Sequence, residues 1–431
     1  MGTKNNVAEI IVNKKKIELP VLEDHVGNIA LDIRNLRKDN GIITYDPGFS
    51  NTASCISDIC RIDGERGILM YRGYRIEDLV ANCDFIEVAY LLVKGELPTK
   101  EERHNYMLLL NRHSLLHVDM MNFFRNFPKN SHPMAILTSM VASLSAFYPE
   151  IDESDPEENI DLTVTRLLSK MRTIAAFTYR QQDGQEFVNP SYKLSYCENF
   201  LNMLFYSPVK EYKINPVHVK ALNELLILHA DHGQNCSTSA VRLVGSSEAN
   251  IYASVTAGIC ALWGSKHGGA NQAVIEMLEN LINEKTPVQD FLNSIKDKGN
   301  SSVLYGFGHR VYKTYDPRAK LAKKLCKEVL DSTNTNDPLL EKAMELEEFA
   351  LKDSYFIERN LYPNVDFYTG IIFRAMGIPT NMFTVLFAMG RLPGWIAHYL
   401  EWKHDPYQKL ARPRALYDGS LDKIVIPIDQ R

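Results

Sequence analysis

The sequence predicts a mainly α, multi-helical protein with a small N-terminal β-hairpin, and two observations carry that prediction. From about residue 75, apolar residues recur at the three-to-four spacing of amphipathic helices. Few segments after residue 50 alternate like strands. Proteins of this class bury their sites between facing helices. The predicted helices span 85–93, 133–147, 162–178, 216–229, 249–263, 270–282, 319–330, 339–351, 365–376 and 382–389.

Local sequence signals also indicate where two of the helices begin and where the hairpin lies. Asn215-Pro216 and Asp337-Pro338 each place a capping side chain before a proline, which is favoured at the first helical position. Residues 8–12 and 16–19 are typical strands around the polar turn 13–15. Because two strands alone are marginally stable, this hairpin must pack on something else.

The length of 431 residues indicates more than one compact unit, because single cores stop growing near ~250–300 residues. The acidic stretch 148–159, broken by Pro149 and Pro156, indicates a solvated loop. The polar tract 298–302 lies near the predicted entry to a smaller domain. The predicted division is a β-containing segment at 1–55, a large helical domain at 56–282 and 388–431, and a small helical domain at 283–387.

Charge and cysteine usage restrict the class of protein. The net charge of −5 and pI of about 6.2 argue against nucleic acid as the main partner, since phosphate binding needs a basic face. Seven cysteines without a CxxC pair favour free thiols in a reducing compartment. No apolar run approaches the ~18 residues that span a bilayer. We therefore expect a cytoplasmic protein without a membrane partner.

Leu228–Asn235 and Gly264–Asn271 are the first two of four stretches rich in His, Asp, Arg or Gly. In the first, His229 and His232 indicate either a metal site or helix-end histidines that interact with the dipole. In the second, His267 precedes two glycines at a helix start. That position favours a neutral imidazole that donates a hydrogen bond, and the alternative is a glycine-rich turn with an incidental histidine.

The other two stretches are 305–318 and 362–368. The first lacks GxGxxG, so it is not a dinucleotide fingerprint. Its glycines around Phe307 indicate either a backbone loop that recognises a flat base or a turn with a solvated arginine. In the second, Asp366 is either a helix-end charge or a general base in a dry pocket. Arg391 and Arg412, taken singly, indicate only solvated arginines.

Together these stretches, in their order and spacing, resemble the citrate synthase family in the version found in many bacteria. The resemblance runs from Asp46-Pro47-Gly48 to Ala411-Arg412-Pro413-Arg414. It implies a helical dimeric core with a large domain and a smaller mobile one, and an active site in the cleft between them. In the type II-like branch the assembly is a dimer or a hexamer.

The resemblance implies an acyltransferase that condenses acetyl-CoA with oxaloacetate and water to give citrate and CoA, the first step of the tricarboxylic acid cycle. No cofactor or metal is implied. The implied catalytic residues are His267, His309 and Asp366. The implied oxaloacetate ligands are His232, His309, Arg318 and Arg391, with Arg412 reaching in from the neighbouring subunit. The implied CoA contacts are Leu304, Tyr305, Gly306, Phe307, Gly308 and Lys313.

Members of the hexameric branch can also bind NADH as an allosteric inhibitor at a separate site. Val209 stands where some members have a reactive cysteine, so thiol reagents should not desensitise the enzyme there. Departures from the family pattern are Gly233, Lys266 and Leu392-Pro393, and none removes a catalytic group. The residues that match the NADH site are Arg112, His113, Ser114, Tyr148, Arg166 and Lys170.

Three alternative functions are compatible with parts of the sequence. The same fold and mechanism with propionyl-CoA would make 2-methylcitrate, and the size of the acyl pocket would decide between the two acyl groups. A non-catalytic CoA-binding protein is disfavoured by the intact His267, His309 and Asp366. A metalloenzyme built on the histidines would be inhibited by a chelator.

Overall fold

Helices dominate the computed structural model, so the predicted fold class is confirmed. The structure describes residues 6–149, 156–297, 303–309, 311–333 and 337–431, with the backbone alone at 156–158. The tract 298–302 and residues 150–155 of the acidic stretch lie outside the described residues. The chain forms two compact units, Met1–Ser57 with Ala411–Arg431, and Asp58–Leu410. The predicted boundaries at 56, 283 and 388 stay predictions.

The first unit contains the predicted hairpin. Strands β1 (Val7–Val12) and β2 (Lys15–Glu23) pair antiparallel, and β3 (Ile29–Leu31) extends the sheet beside β2. Asn13 and Lys14 form the turn at φ of 50° and 67°, which suits the twist of a two-residue hairpin. Its small core joins residues of β2 to helix α1 (Leu36–Asn40), and residues 411–431 are exposed.

The second unit begins with a three-stranded antiparallel sheet that the sequence did not predict. Its strands are β4 (Cys60–Asp63), β5 (Ile68–Tyr71) and β6 (Tyr74–Arg75). The strands are short, and the apolar run of β5 has no polar alternation. Periodicity therefore gives little signal there.

Helices make up the rest of the second unit in its described parts. They are α2 (Ile76–Asn82), α3 (Phe85–Lys94), α4 (Lys100–Arg112), α5 (Val118–Arg125), α6 (Pro133–Phe147), α7 (Pro156–Asp183), α8 (Tyr196–Phe205), α9 (Pro216–His229), α10 (Cys236–Gly245), α11 (Ile251–Leu262), α12 (Ala270–Asn283), α13 (Val288–Lys296), α14 (Pro317–Thr333), α15 (Pro338–Lys352), α16 (Ser354–Glu358), α17 (Val365–Ala375) and α18 (Phe383–His404).

Most predicted helices are present, and α6 and α9 have the predicted bounds. The predicted caps also form, because Asn215 accepts from the Val217 N–H and Asp337 from the Leu339 N–H. The expected loop at 148–159 is wrong at its end, since α7 already begins at Pro156.

Helix α18 differs most from its prediction. It was expected to end at residue 389 but runs to His404, with Pro393 inside it. An interior proline costs roughly 3 kcal/mol because it removes a donor and its ring clashes with a carbonyl. Nearly every residue from Phe383 to Tyr399 is buried, and that burial on all sides offsets the cost. None of the helices in the described ranges is long and apolar enough to cross a membrane.

Candidate active site

His232 lies in the turn between α9 and α10. Helix α9 ends at His229, so the two histidines do not lie on one helix face. The Asp231 carboxylate accepts the Gly233 N–H at 2.9 Å, and Gly233 has a φ of 59°. The buried Tyr71 hydroxyl donates to the Asp231 carbonyl at 3.0 Å. Gly233 therefore forms a left-handed turn that presents His232, rather than capping the helix.

His267 lies three residues before α12 and faces the start of α10. Its Nε2 is 2.9 Å from the Ser237 hydroxyl oxygen, which also accepts from Trp395 Nε1 at 3.1 Å. The Ser237 hydroxyl proton has two acceptors within reach, His267 Nε2 and Asn235 Oδ1 at 2.7 Å. Burial, with the charge of Arg391, lowers the pKa of His267 to about 4. The imidazole is therefore neutral at physiological pH.

The glycine after His267 allows a close backbone approach. A Cβ on Gly268 would lie 2.3 Å from the Leu262 carbonyl oxygen. The Gly268 N–H donates to that same oxygen at 2.9 Å, and Thr384 Oγ1 donates to the Gly268 carbonyl at 3.1 Å. The glycine is thus required for packing, and the His267 turn is fixed from both sides.

His309 has a defined tautomer. Its Nδ1 accepts the backbone N–H groups of Val311 and Tyr312, at 3.0 and 3.2 Å. A neutral His309 must therefore carry its proton on Nε2. Burial, with the charge of Arg318, lowers its pKa to about 4, so the neutral form dominates. The His232 and His309 rings are 5.4 Å apart, and His232 Nε2 is 3.2 Å from the Tyr312 hydroxyl.

Arg318 and Arg391 are both buried, 4% and 1% exposed. Arg318 donates from Nε and NH2 to the two oxygens of Asp316, at 3.1 and 2.8 Å. Its NH2 also lies 3.4 Å from His309 Nε2. Since both groups carry protons, this contact places two donors side by side without an acceptor between them. Arg391 donates from Nε to the His229 carbonyl at 2.6 Å.

Asp366 occupies the first turn of α17, as the sequence predicted. The Asn364 side chain caps this helix by accepting the Asp366 N–H at 3.0 Å. Burial raises the pKa of the Asp366 carboxyl from 3.8 to about 6, against the opposing pull of Arg318 and Arg391. The same Arg391 charge acts on His267, and the same Arg318 charge acts on His309. These groups therefore share one electrostatic environment.

The loop 304–308 is bonded to the segment that precedes Asp366. The Gly308 N–H donates to the Tyr362 carbonyl, and the Asn364 N–H donates to the Gly306 carbonyl, each at 2.8 Å. Gly306 has a φ of 79°, and a Cβ there would lie 2.9 Å from the Phe367 Cβ. Phe307 meets the edge of the Phe367 ring, with centroids 5.1 Å apart. Within this loop Leu304 is half-buried and Tyr305 is exposed.

Two predicted contacts lie at the surface. The Lys313 ammonium pairs with the exposed Glu65 carboxylate, so a CoA phosphate would compete with that partner. Arg412 belongs to the first compact unit and is exposed. Both assignments stay predictions.

The residues predicted for an NADH site form a basic cluster around Tyr148. The Lys170 ammonium lies 4.3 Å from the Tyr148 ring centre, and Arg166 lies 5.5 Å from it. The same ammonium donates to the His113 and Leu115 carbonyls. Burial lowers the pKa of Lys170 to about 8. Ser114 is buried and donates to the Asn111 carbonyl, while the Arg112 charge adds to those that lower the pKa of His113.

A buried network behind His232 was missed at the sequence level. Asp231 is fully buried and lies 3.3 Å from His398 Nε2. His398 Nδ1 is 3.3 Å from the Gln234 amide and 3.9 Å from Glu401, which pairs with Arg242 at 2.8 Å. The signal was present in part, because His398 and Glu401 are spaced like neighbours on one helix face. Their partner on the His232 turn required the tertiary structure.

The arrangement provides an anion site next to a base. Buried guanidinium groups suit a carboxylate substrate, which they bind through paired hydrogen bonds. Neutral histidines that carry N–H groups suit a developing oxyanion, and a carboxylate with a pKa near 6 suits proton abstraction. Within the described residues, no cluster of three or more His, Cys, Asp or Glu side chains has the geometry to hold a metal ion.

Comparison with known proteins gives a consistent result. Residues 48–414 match the family described as citrate synthase, C-terminal domain. Citrate synthase from Pyrobaculum aerophilum is 35% identical with a TM-score of 0.81, over 95% of this chain and 97% of that chain. Citrate synthase from Thermotoga maritima is 34% identical with a TM-score of 0.76, over 90% of this chain and 99% of that chain. The Thermoplasma acidophilum enzyme, solved with carboxymethyl coenzyme A and oxaloacetate, is 31% identical with a TM-score of 0.81, over 90% of this chain and all of that chain.

Proposed function

Because this chain belongs to the citrate synthase family, we propose that it condenses acetyl-CoA with oxaloacetate and water to give citrate and CoA. The observation that carries the proposal is the pair of donors at Arg318 and His309, which face one another without an acceptor. A substrate oxygen between them would satisfy both. The half-buried Asp366, with its raised pKa, supplies the base that such a condensation needs.

In the first step Asp366 takes a proton from the methyl group of acetyl-CoA. A positioned base contributes typically ~10²–10⁴ in rate, which alone is too little to form an enolate. We assign the compensating hydrogen bond to His267, which donates to the thioester oxygen as charge develops there. One such donor contributes about 3–4 kcal/mol. Ser237 would hold the opposite nitrogen, Nε2, leaving Nδ1–H free to donate.

In the second step the enolate carbon attacks the carbonyl carbon of oxaloacetate and forms the new carbon–carbon bond. His309 donates a hydrogen bond from Nε2 to the carbonyl oxygen as that oxygen becomes an alkoxide. Its defined tautomer fits this role, because both Nδ1 contacts are to backbone donors. A proton from water then converts the alkoxide to the citrate hydroxyl, and Asp366 releases to water the proton that it took from the methyl group. Water then cleaves the citryl thioester, releasing citrate and CoA.

Oxaloacetate carries two carboxylates, and the buried arginines match them. Arg318 is preoriented by its two bonds to Asp316, and Arg391 by its bond to the His229 carbonyl. Guanidinium forks bind carboxylates through paired hydrogen bonds, which an ammonium cannot do. His232 would add a neutral contact. Placing both substrates together adds roughly 7–11 kcal/mol of rate advantage.

Release of free thiol from acetyl-CoA, followed with and without oxaloacetate, tests the function. We expect thiol release only with both substrates. Release without oxaloacetate would indicate a hydrolase, and no release would contradict the proposal. Comparing kcat/KM for acetyl-CoA and propionyl-CoA then separates citrate from 2-methylcitrate synthesis. We expect acetyl-CoA to be preferred, and an added methylene is worth about 1–3 kcal/mol.

The assembly and its regulation are part of the same proposal. We expect a cytoplasmic homodimer or hexamer of the type II-like branch, in which Arg412 from the neighbouring subunit completes the oxaloacetate site. NADH inhibition would use the cluster around Tyr148, with Arg112 and Arg166 as phosphate ligands, since Lys170 already has carbonyl partners. Equal rates with and without millimolar NADH would exclude the regulatory site.

A further inference from the structure

A chain of hydrogen-bonded polar groups, buried at Glu347 and Tyr368, has no role in the chemistry described above. Glu347, on α15, is 3% exposed, and its Oε1 accepts from the Tyr368 hydroxyl. Lys323 on α14 donates to the same Oε1 at 2.7 Å. The Tyr315 hydroxyl lies 3.2 Å from the Tyr368 hydroxyl. We call these four residues the Glu347 chain.

The direction of hydrogen bonding in this chain is fixed. An ionised carboxylate only accepts, so the Tyr368 hydroxyl must spend its one proton on Glu347. The Tyr368 oxygen then accepts the proton of the Tyr315 hydroxyl. The Tyr315 and Tyr368 hydroxyls therefore each donate in one direction, toward Glu347, and replacing either tyrosine by phenylalanine removes a hydrogen bond from the next member.

The two tyrosines belong to the two elements that carry opposite halves of the proposed reaction. Tyr315 directly precedes Asp316, which pairs with Arg318, the proposed oxaloacetate ligand. Tyr368 lies on α17, two residues after Asp366, the proposed base. Helices α14 and α17 pack on one another, and Glu347 contacts members of both from α15.

A buried carboxylate is costly, and an apolar side chain of similar size would pack there at lower cost. Tyr368 and Tyr315 could equally be phenylalanines if filling space were their only task. Hydrogen bonds are directional, so this chain fixes the spacing between the Tyr315 segment and α17 more tightly than ring packing would.

We propose that Glu347, acting through Tyr368 and Tyr315, is a positioning residue that sets the distance between the base at Asp366 and the oxaloacetate site at Arg318. This inference rests on the proposed condensation. Misplacement of a reacting group by about 1 Å can cost roughly a hundredfold in rate. Hence the chain should act on turnover and on oxaloacetate binding together, not on folding alone.

The test begins with the wild-type enzyme, whose release of thiol from acetyl-CoA must depend on oxaloacetate. A wild type without this activity would contradict the proposed function and not the positioning role. The mildest variant is then Tyr368→Phe, which removes one hydroxyl. We expect about a tenfold or greater fall in kcat and a raised KM for oxaloacetate. Tyr315→Phe, which frees only the Arg318 segment, should raise the oxaloacetate KM more than it lowers kcat.

Two further variants separate positioning from stability. Glu347→Gln keeps an oxygen acceptor and should restore most of the activity that Glu347→Leu loses. Tyr315→Phe and Tyr368→Phe combined should cost little more than Tyr368→Phe alone, because they break one chain. The matched control is Tyr196→Phe. Its buried hydroxyl donates to the Leu168 carbonyl at 3.3 Å, outside the site, so it should lower the melting temperature without changing either constant.

An active wild type whose Tyr368→Phe variant keeps its kcat and oxaloacetate KM would overturn the inference. Additive effects of the two tyrosine variants would also overturn it. So would equal losses in Glu347→Gln and Glu347→Leu, since the chain would then not depend on an acceptor at that position.

Discussion

The candidate site and the cluster around Tyr148 both concentrate cations, but their cations have different partners. At the site, Arg318 NH2 faces the protonated nitrogen of His309 with no acceptor between them. In the Tyr148 cluster, the Lys170 ammonium already donates to the His113 carbonyl and lies over the Tyr148 ring. Both cations are buried, at 4% and 3% exposure.

This difference shows what distinguishes an anion site from structural use of a cation. Positive charge alone does not define a ligand site, because a buried ammonium that bonds backbone carbonyls is satisfied within the fold. Donors that face one another without an acceptor in the fold are satisfied by an incoming acceptor, such as an oxygen of a bound substrate. Lys170 thus holds the connection between α4 and α5, whereas Arg318 is arranged for a substrate.

The strongest test neutralises Asp366. Asp366→Asn should lower kcat at least ~10²–10⁴-fold, because it removes the base. It should also stabilise the protein at pH 7. A folded-state pKa of about 6, above the ordinary 3.8, means that ionisation costs stability that is regained below pH ~4. We expect about 1–2 kcal/mol, discounted because the side chain is only half-buried.

Denaturant unfolding at pH 7 and pH 4, alongside steady-state rates, measures both effects. The matched control is Asp290→Asn, an exposed carboxylate in the first turn of α13. It should leave kcat unchanged. An active Asp366→Asn enzyme would contradict the role of Asp366 as the base. A variant that is less stable at pH 7 would contradict the expectation that its ionised carboxylate costs stability.

Arg318→Lys tests whether the facing donors of Arg318 and His309 bind the substrate. Lysine keeps the charge but loses the fork that bonds Asp316 and faces His309, so kcat/KM for oxaloacetate should fall about 100-fold, or ~3 kcal/mol. Arg166→Lys, in the Tyr148 cluster, is the control and should leave kcat/KM unchanged. Similar losses of kcat/KM in the two variants would contradict the proposed difference between the candidate site and the Tyr148 cluster.

Lys170→Met should lower the stability of the protein and leave catalysis unchanged, whereas Asp366→Asn should lower kcat and raise the stability. The change keeps an unbranched apolar side chain but leaves the His113 and Leu115 carbonyls without their donor. Unfolding free energy should fall by about 2 kcal/mol, with kcat and both KM values unaltered. Urea titration beside an activity assay checks this. A large loss of kcat with normal stability would show that Lys170 contributes to catalysis and not only to the fold.

The pH profile gives the smallest effect. Because the folded pKa of Asp366 is about 6, kcat/KM should fall roughly tenfold between pH 7 and pH 5 as the carboxylate takes up a proton. His267 and His309, with pKa values near 4, stay neutral over that range. An acid limb centred near pH 4 would instead assign the titration to the histidines.

Helix positions and caps were predictable from sequence, whereas the contacts that tune the site were not. Asn215 and Asp337 indicate the starts of their helices by local chemistry, which acts within a few residues. The partner of His267 is Ser237, 30 positions away, and the acceptor for Tyr368 is Glu347. Such pairs form only when helices pack on one another, so the hydrophobic periodicity of the sequence does not predict them.

The differences between the predicted and the observed helices also have a physical reason. Helix α4 buries little beyond Tyr106 and Leu110, so its apolar stripe is weak. It is stabilised instead by the Thr99 and Glu102 capping box. Helix α18 was cut short because Pro393 is a local stop signal, and the burial that overrides it is a tertiary property.

The turn between β4 and β5 bears on how mutational scans of this protein should be interpreted. A side chain at Gly64 would place its first carbon 2.1 Å from the Val311 carbonyl oxygen, and the Gly64 carbonyl accepts the Lys313 N–H at 3.0 Å. Saturation libraries should thus find this position intolerant of every replacement, as they would an active-site residue. That intolerance reflects steric exclusion beside the His309 segment, and intolerance alone would misidentify Gly64 as part of the chemistry.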